Sequence, residues 1–388
     1  MKLENYPALT DKELDEAIGY AIEQVRSCLA DYTTMFKYPN SVNNFYPLMM
    51  NTEWTNGFWT GEIWLAYELT KEEVFKKSGL IHVDSYHHRI KNNIVCDHHD
   101  LGFLYSPSCV AAYKLLGDEK AKEAAILAAD KLITRFHEKG EFIQAWGPLG
   151  AKENYRLIID CLLNLPLLYW TTEVTGDPKY RDIALRHIKT ALSVVIRDDY
   201  STFHTYFFDP ETGAPSHGVS HQGNRAESAW ARGQAWGIYG LAISYRYTKD
   251  PKYLELFRHV TNYFIDHLPS NLVPYWDFDF TDGSDEPRDS SASAAAACGM
   301  LEMAKHVGEE EAAVLKAQAS RLVKALVDHC SVKDPSVSNG QILHGTYCRS
   351  TPTNGCRQHG VDECTAWGDY YYFEALMRLK NEDWNMYW

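Results

Sequence analysis

The sequence lacks any run of about 18 apolar residues, the shortest stretch that commonly crosses a membrane. Its first segment, MKLENYPALTDKELDEA, is polar and acidic and has no apolar core of a secretory signal. It also lacks a cluster of Lys and Arg, and the formal net charge of −14 is opposite to the basic stripe of a nucleic-acid-binding protein. We therefore expect no membrane partner, no nucleic-acid partner and a cytoplasmic location.

Cysteine pairs at metal-site spacing are also missing, because the nine Cys form no C-x-x-C. Cys348, Cys356 and Cys364 are evenly spaced, but no His or Cys doublet accompanies them. This pattern argues against a disulfide framework and against a zinc ribbon, so we expect reduced thiols.

The His98, His99 and Asp100 group allows a metal site as an alternative. Neighbouring histidines rarely point at one ion, so we expect neither a metal nor another cofactor.

Aromatic residues, in contrast, are abundant at 13% of the chain, with 11 Trp and 25 Tyr. A helical protein packs well with Leu and Ala, so this content needs a further reason. Two explanations remain open: an interior packed with aromatic rings, or a cleft that stacks on ring-shaped ligands.

Apolar segments at helical spacing recur along the chain, and each is followed by a short turn and a more charged amphipathic helix. The turns include Thr70-Lys71-Glu72, Gly117-Asp118-Glu119, Gly176-Asp177-Pro178 and Lys249-Asp250-Pro251. The six apolar segments begin at Asn56, Asp100, Ile158, Arg232, Asp289 and Trp367. This alternation predicts an all-α (α/α)6 barrel, a six-hairpin toroid, as a single catalytic domain over residues 1–388. An open helical solenoid is the alternative, but its repeats would be more uniform than these.

Polar residues stand at the same end of every apolar segment, and in a toroid these starts converge on one rim. For Asp289 the expected role is helix capping. Asp160, in RLIIDCLLNLPLLYW, is a lone carboxylate in an apolar run, where desolvation raises a carboxyl pKa toward neutrality. That is how a general acid at neutral pH arises, although a structural Asp bonded to backbone or Asn164 is the alternative. Together with rim-exposed Asp100, it forms the pair of unlike carboxylates that glycosidases use.

Aromatic and polar residues near the helix starts are candidate sugar contacts. The Trp candidates, some of which must pack the core, are Trp54, Trp59, Trp146, Trp230 and Trp236. The candidate donors to hydroxyl or carboxylate groups are His204, His221, Gln222 and Arg232. Arg232, flanked by Trp230 and Trp236, is suited to bidentate capture of an acid.

The chain resembles the unsaturated glucuronyl hydrolases of glycoside hydrolase family 88 over nearly its full length. The motifs that carry the resemblance are NTEWTNGFWTGEIWLAYE, HHDLGFLYS, QAWGP, IIDCLLNLPLLYW, FHTYFFDP, SHQGN, RGQAWGIYG, YWDF, RDSSASA and WGDYYYFEAL. The resemblance implies removal of an unsaturated uronic acid from the non-reducing end of lyase-generated oligosaccharides. It also implies that the reaction begins by hydration of the C4=C5 enol ether, after which the product opens to a keto acid.

By position, Asp160 matches the general acid/base of that family, and Asp100 matches its essential second aspartate. The residues that match sugar contacts are Trp54, Trp146, His204, Gln222, Arg232, Trp236 and Tyr347. The expected partner is therefore a small unsaturated oligosaccharide.

The chain departs from the family in one stretch before the last helix. Some relatives that prefer sulfated chondroitin disaccharides carry a Ser-x-x-Ser-x-Lys patch there, and this chain reads CRSTPTNGCRQHGVDECTA. The side chains of Arg349, Ser350, Arg357 and His359 remain candidate sulfate contacts, so sulfated and unsulfated chondroitin or hyaluronan fragments are equally open. Rival functions are an unsaturated rhamnogalacturonyl hydrolase, a sugar epimerase on a similar toroid, and a non-catalytic carbohydrate-binding protein.

Overall fold

A computed structural model describes residues 3–388 of the chain. The helices in chain order are α1 (Asp11–Tyr32), α2 (Asn56–Thr70), α3 (Glu73–Lys91), α4 (Leu101–Tyr105), α5 (Ala111–Leu116), α6 (Glu119–Ile133), α7 (Pro166–Thr175), α8 (Lys179–Val195), α9 (Ala231–Thr248), α10 (Pro251–Asp266), α11 (Ser290–Ala304), α12 (Glu309–His329) and α13 (Ala366–Lys380). A π-helical turn, Ser106–Val110, joins α4 to α5, so these two helices and the turn form one interrupted inner helix.

The six apolar segments form a closed inner ring in the order α2, α4–α5, α7, α9, α11 and α13, with α13 packing back on α2. Residues of α11 are buried along its whole length, which is why its sequence is apolar on every side rather than on one stripe. The amphipathic helices α3, α6, α8, α10 and α12 each pack outside a ring helix, and α1 packs against α13 and α2. This arrangement confirms the prediction of an (α/α)6 barrel.

The predicted turns are also present at the ends of the inner helices. Lys71, Gly117, Gly176 and Lys249 are the left-handed C-cap residues of α2, α5, α7 and α9. The next outer helix begins at once, and the Asp118 side chain caps α6 by accepting a hydrogen bond from the backbone N–H of Ala121. These tight turns keep each inner helix beside its outer partner.

Short strands, which the sequence analysis did not predict, build the loops at the helix starts. They are β1 (Phe36–Lys37), β2 (Leu48–Met49), β3 (Phe136–His137), β4 (Phe142–Ile143), β5 (Arg156–Ile158), β6 (Thr205–Phe208), β7 (Pro215–Val219), β8 (Gly345–Cys348) and β9 (His359–Glu363). All pairs are antiparallel, and β5, β6 and β7 form the largest sheet. The long insertion that begins near Phe203 therefore folds as a hairpin against the strand that precedes Asp160.

One expectation about the cysteines is wrong. Cys348, at the end of β8, and Cys356 form a disulfide, with their Cα atoms 6.2 Å apart. The chain between them turns back on itself, so two residues eight positions apart in the sequence meet. The other seven cysteines are unpaired and buried, as expected. No helix within residues 3–388 is long and apolar enough to span a membrane.

Candidate active site

A cleft of about 470 Å³ opens at the rim where the inner helices start. Its lining combines two carboxylates, three histidines, three large aromatic side chains and one arginine. The lining residues are Trp54, His99, Asp100, Trp146, Asp160, His221, Gln222, Tyr347, Cys348, Gly355, Cys356, Arg357 and His359. Among the predicted sugar contacts, Trp54, Trp146, His221, Gln222 and Tyr347 lie on this surface.

Asp160 is held by a short 3-10 helix, Ile159–Leu163, that connects β5 to α7. Its carboxylate Oδ1 is buried and has no hydrogen-bond partner among residues 3–388. Burial, followed by the negative charge of Asp100, raises the pKa of Asp160 to about 7, although the Arg232 charge opposes the rise. Asn164 donates to the Asp160 backbone carbonyl rather than to the carboxylate. Asn164 is therefore not the partner of the carboxylate that the structural alternative requires, and a carboxyl with this pKa can hold a proton near neutrality.

Asp100 stands at the N-cap position of α4 without a side-chain capping bond, and it is buried rather than exposed on the rim as expected. Its electrostatic setting differs from that of Asp160. Burial raises the pKa of Asp100, but the neighbouring imidazoles of His99 and His98 outweigh it, and the pKa lies below its ordinary value. The nearest contacts are His99 Nε2, 3.2 Å from Oδ1, and His98 Nδ1, 3.3 Å from Oδ2. Burial lowers the pKa of His99 to about 4, so this ring is neutral at pH 7. The cleft thus combines the ionised carboxylate of Asp100 with the carboxyl of Asp160, which stays protonated to a higher pH. The negative charge of Asp100 contributes to the raised pKa of Asp160.

The two carboxylates share one site because α4 approaches the Asp160 turn closely. A Cβ on Gly102 would lie 2.4 Å from the Cα of Asn164, so only glycine fits there. Asn164 then accepts a hydrogen bond from the Phe103 backbone N–H at 2.8 Å and fastens the turn to the first turn of α4.

His204 lies just behind the cleft and is buried. Its Nδ1 accepts hydrogen bonds from the backbone N–H groups of His221 and Gln222, so the proton of the neutral ring is on Nε2. That Nε2–H has no acceptor within the described part of the chain. Burial lowers the pKa of His204 well below its ordinary value. The ring is therefore a fixed neutral imidazole that orders the His221–Gln222 segment of the cleft wall by accepting these two hydrogen bonds.

Aromatic rings also line the cleft. The Trp54 indole N–H donates to the Tyr347 hydroxyl at 2.8 Å, and the Trp54 ring stacks on Trp367 with centroids 5.2 Å apart. Trp146 contacts the rings of His99 and His221 edge-on. Such fixed, half-buried rings at a cleft mouth are suited to stacking on sugar rings.

The guanidinium of Arg232 is not free for the bidentate capture of an acid that the sequence predicted. Its Nη1 donates to Asp289 Oδ2 and to the Thr346 carbonyl, and its Nη2 donates to Gln222 Oε1 and the Tyr347 carbonyl. Asp289 in turn makes no capping bond to α11, so its expected capping role is wrong. Arg232 instead joins the starts of α9 and α11 to β8 and holds Gln222 and Tyr347 in place.

Three of the predicted Trp contacts are packed inside the protein. Trp230 and Trp59 are buried, with the Trp230 ring stacked under the Arg232 guanidinium at 4.4 Å. Trp236 is also buried, beside Phe103. The second ring that contacts Arg232 is Trp367, at 4.7 Å, rather than Trp236. The assignments of Trp230, Trp236 and His204 as sugar contacts stay predictions, since their rings lie behind the cleft surface.

The structure adds residues that the sequence analysis did not assign to the site. His99 contacts Asp100 directly, and its place in the HHD segment was the available signal. Arg156 stacks on Trp146, and nothing in the sequence distinguishes it from a surface arginine. Within residues 3–388, no group of three His, Cys, Asp or Glu side chains is arranged to hold a metal ion.

Comparison with known proteins identifies the class to which this fold and cleft belong. Residues 29–376 match Glycosyl Hydrolase Family 88, so the chain belongs to this family and is a glycoside hydrolase. It is 50% identical to the unsaturated chondroitin disaccharide hydrolase of Streptococcus pneumoniae, over 98% of this chain and 95% of that protein. It is 42% identical to the unsaturated glucuronyl hydrolase of a Bacillus species, over 94% of this chain and 96% of that protein.

Solved structures give the same result. The crystal structure of unsaturated glucuronyl hydrolase from Streptococcus agalactiae superposes with a TM-score of 0.95 and 49% identity, covering 100% of this chain and 96% of that chain. An unsaturated glucuronyl hydrolase specific for heparin superposes with a TM-score of 0.84 and 31% identity, covering 95% of this chain and 97% of that chain. The full-length agreement confirms the resemblance inferred from the motifs.

Proposed function

We propose that this protein removes the unsaturated 4,5-dehydroglucuronic acid from the non-reducing end of lyase-generated glycosaminoglycan disaccharides. The observation that carries the proposal is the carboxyl of Asp160, with its pKa raised to about 7 and a free Oδ1, beside ionised Asp100 in an aromatic cleft. Supporting it, an aspartate-to-asparagine variant of the Streptococcus agalactiae relative has been crystallised with dGlcA-GalNAc6S. Residues 1–388 act in this proposal as one catalytic domain in the cytoplasm.

The chemistry follows from the different states of the two carboxyls. Asp160, protonated near neutrality, donates its proton to C4 of the enol ether, and the positive charge that develops at C5 is captured by water. The Asp160 carboxylate then accepts a proton from that water, which returns the acid to its starting state. The hydrated product opens to a keto acid and releases the second sugar. Asp100 stays ionised, accepts hydrogen bonds from ring hydroxyls and helps to keep the proton on Asp160.

The assay follows the ultraviolet absorbance of the enol ether in an unsaturated chondroitin or hyaluronan disaccharide, with a chelator present. Loss of the absorbance with release of the second sugar is the expected result. An unchanged spectrum contradicts the proposal, and activity abolished by the chelator contradicts the metal-free mechanism. Release of the sugar also excludes an epimerase or a purely binding protein, since neither cleaves the glycosidic bond.

A pectin-derived disaccharide tests the rival rhamnogalacturonyl hydrolase. The relatives that match are named as chondroitin disaccharide or glucuronyl hydrolases, and this favours the glycosaminoglycan substrate. If kcat/KM were higher on the pectin disaccharide than on every glycosaminoglycan disaccharide, the rhamnogalacturonyl hydrolase would be the better assignment.

Sulfate preference depends on the loop closed by Cys348 and Cys356. Arg349 is committed to Glu286, with Nε–Oε2 at 3.1 Å, whereas Arg357 and His359 line the cleft. We therefore expect Arg357 to contact a sulfate on the second sugar. Arg357→Gln should lower kcat/KM for sulfated disaccharides and leave the unsulfated ones unchanged, and equal effects on both would contradict this assignment.

A further inference from the structure

Arg156 is a half-buried cation that the structure does not neutralise. Its guanidinium lies between two aromatic rings, 4.5 Å from the Trp146 centroid and 5.1 Å from the Phe207 centroid. Its Nε is buried without an acceptor among residues 3–388, and burial, with no carboxylate opposing it, lowers the pKa of its guanidinium. Arg135, by contrast, also lies below the surface but donates to the carbonyls of Gln144 and Gly147. Burying an unpaired charge is costly, so a position that keeps one calls for a reason.

The positive charge of Arg156 acts on residues of the cleft. Arg156 begins β5 and stands four residues before Asp160 on the same strand and turn. Trp146, on which it stacks, lines the cleft together with His221. Burial first, and then the positive charge of Arg156, lowers the pKa of His221. The guanidinium therefore projects its field through the Trp146–His221 side of the cleft.

A cation is needed at this place if the substrate is an anion. The chain carries a formal net charge of −14, and the cleft itself contains ionised Asp100. Arg232, the other arginine near Asp160, is neutralised by Asp289 and uses all four Nη hydrogens inside the protein. Arg357 also lines the cleft, but we assign it to the second sugar. At the uronate end, the carboxylate would therefore meet a repulsive site without a further positive charge.

We propose that Arg156 is a specificity-determining residue, the uncompensated cation that makes the cleft select a sugar bearing a carboxylate over its neutral counterpart. The inference rests on the proposed function, since it assigns a source to the recognition of the acidic sugar. The contacts with two aromatic rings reduce the exposure of the guanidinium to water, so its attraction for the anion is only partly screened. Trp146 contributes both the stacking surface for the sugar and the support for the cation.

The test compares one unsaturated disaccharide as the free acid and as the uronate methyl ester, which removes the charge and keeps the enol ether. In Arg156→Gln we expect the acid-to-ester ratio of kcat/KM to fall about tenfold, equal to about 1.4 kcal/mol. The loss should appear in KM for the acid, with kcat preserved. Arg156→Lys, which retains the charge, should keep most of the preference for the acid.

The matched control is Arg186→Gln. Arg186 also stacks on an aromatic ring, that of Phe136 at 4.6 Å, but it pairs with Glu138 and Glu141 on the surface. The control should leave the acid-to-ester ratio unchanged. Thermal unfolding of each variant verifies the fold. If Arg156→Gln does not fold, Arg156→Met replaces it in the same comparison, because Met keeps an apolar side chain beside the rings.

An unchanged ratio in the Arg156 variants, or an equal loss on acid and ester, overturns the inference and leaves the proposed function intact. No turnover of the free acid by the unaltered protein overturns the proposed function and the inference together.

Discussion

Replacing Asp160 by Asn should remove activity and, at the same time, stabilise the protein at alkaline pH. Asn keeps the size of the side chain but can neither donate a proton to carbon nor ionise. We expect kcat to fall by roughly 10²–10⁴-fold, the usual size of lost acid/base catalysis. In the unaltered protein, kcat/KM should decline as pH rises through about 7, where Asp160 loses the proton it must donate.

The stability effect has the opposite sign because the folded state holds this proton more tightly than the unfolded chain. Raising the Asp160 pKa from 3.8 to about 7 means that the neutral carboxyl favours folding fully below pH 3.8, and this contribution is lost as pH rises through 7. At 1.36 kcal/mol per pKa unit, the loss has an upper limit of about 4 kcal/mol. Asp160→Asn avoids it, so its free energy of unfolding should exceed that of the unaltered protein at pH 8 and match it near pH 4.

The assays are enol-ether absorbance for activity and urea unfolding at several pH values for stability. Asp277→Asn is the matched control, because Asp277 is another buried carboxyl whose pKa burial raises, but it accepts hydrogen bonds from Ser228 and Asn224 outside the cleft. That variant should retain its kcat. Full activity in Asp160→Asn, or a stability gain that does not grow with pH, would refute the reasoning.

Three further predictions concern the surroundings of Asp160. Asp100→Asn should reduce activity by orders of magnitude and, since the Asp100 charge helps to raise the Asp160 pKa, shift the alkaline decline of the residual kcat/KM to lower pH; an unshifted profile contradicts this coupling. Tyr347→Phe removes the acceptor of the Trp54 indole N–H, and losing about 1 kcal/mol of hydrogen bonding should raise KM several-fold with little change in kcat, measured by steady-state kinetics. Arg232→Met leaves Asp289 buried and unpaired, so urea unfolding should show a loss of about 3–5 kcal/mol, and the added change Asp289→Asn should recover part of it; no recovery contradicts the pairing.

The sequence predicted the barrel well because its signals are local. The inner segments are largely apolar, and four of the six end in a left-handed turn residue, as at Gly117 and Gly176. These features need no knowledge of distant parts of the chain. The short strands were not predicted, since a two-residue strand such as Phe36–Lys37 has no periodicity to detect. The same limitation applies to the pairing of Cys348 with Cys356, which depends on a loop closing in space.

For the site, the sequence by itself singled out the two carboxylates that the fold brings into one cleft. Asp160 stands out as a charge in an apolar run, and the raised pKa expected from that context agrees with the structure. The functions of the arginines, in contrast, were decided only by the tertiary structure. Arg232 is neutralised by Asp289, 57 residues away in sequence, whereas Arg156 lies between two rings without a carboxylate. Burial is encoded in the neighbouring residues along the chain, but neutralisation depends on which distant groups the fold brings within a few ångströms.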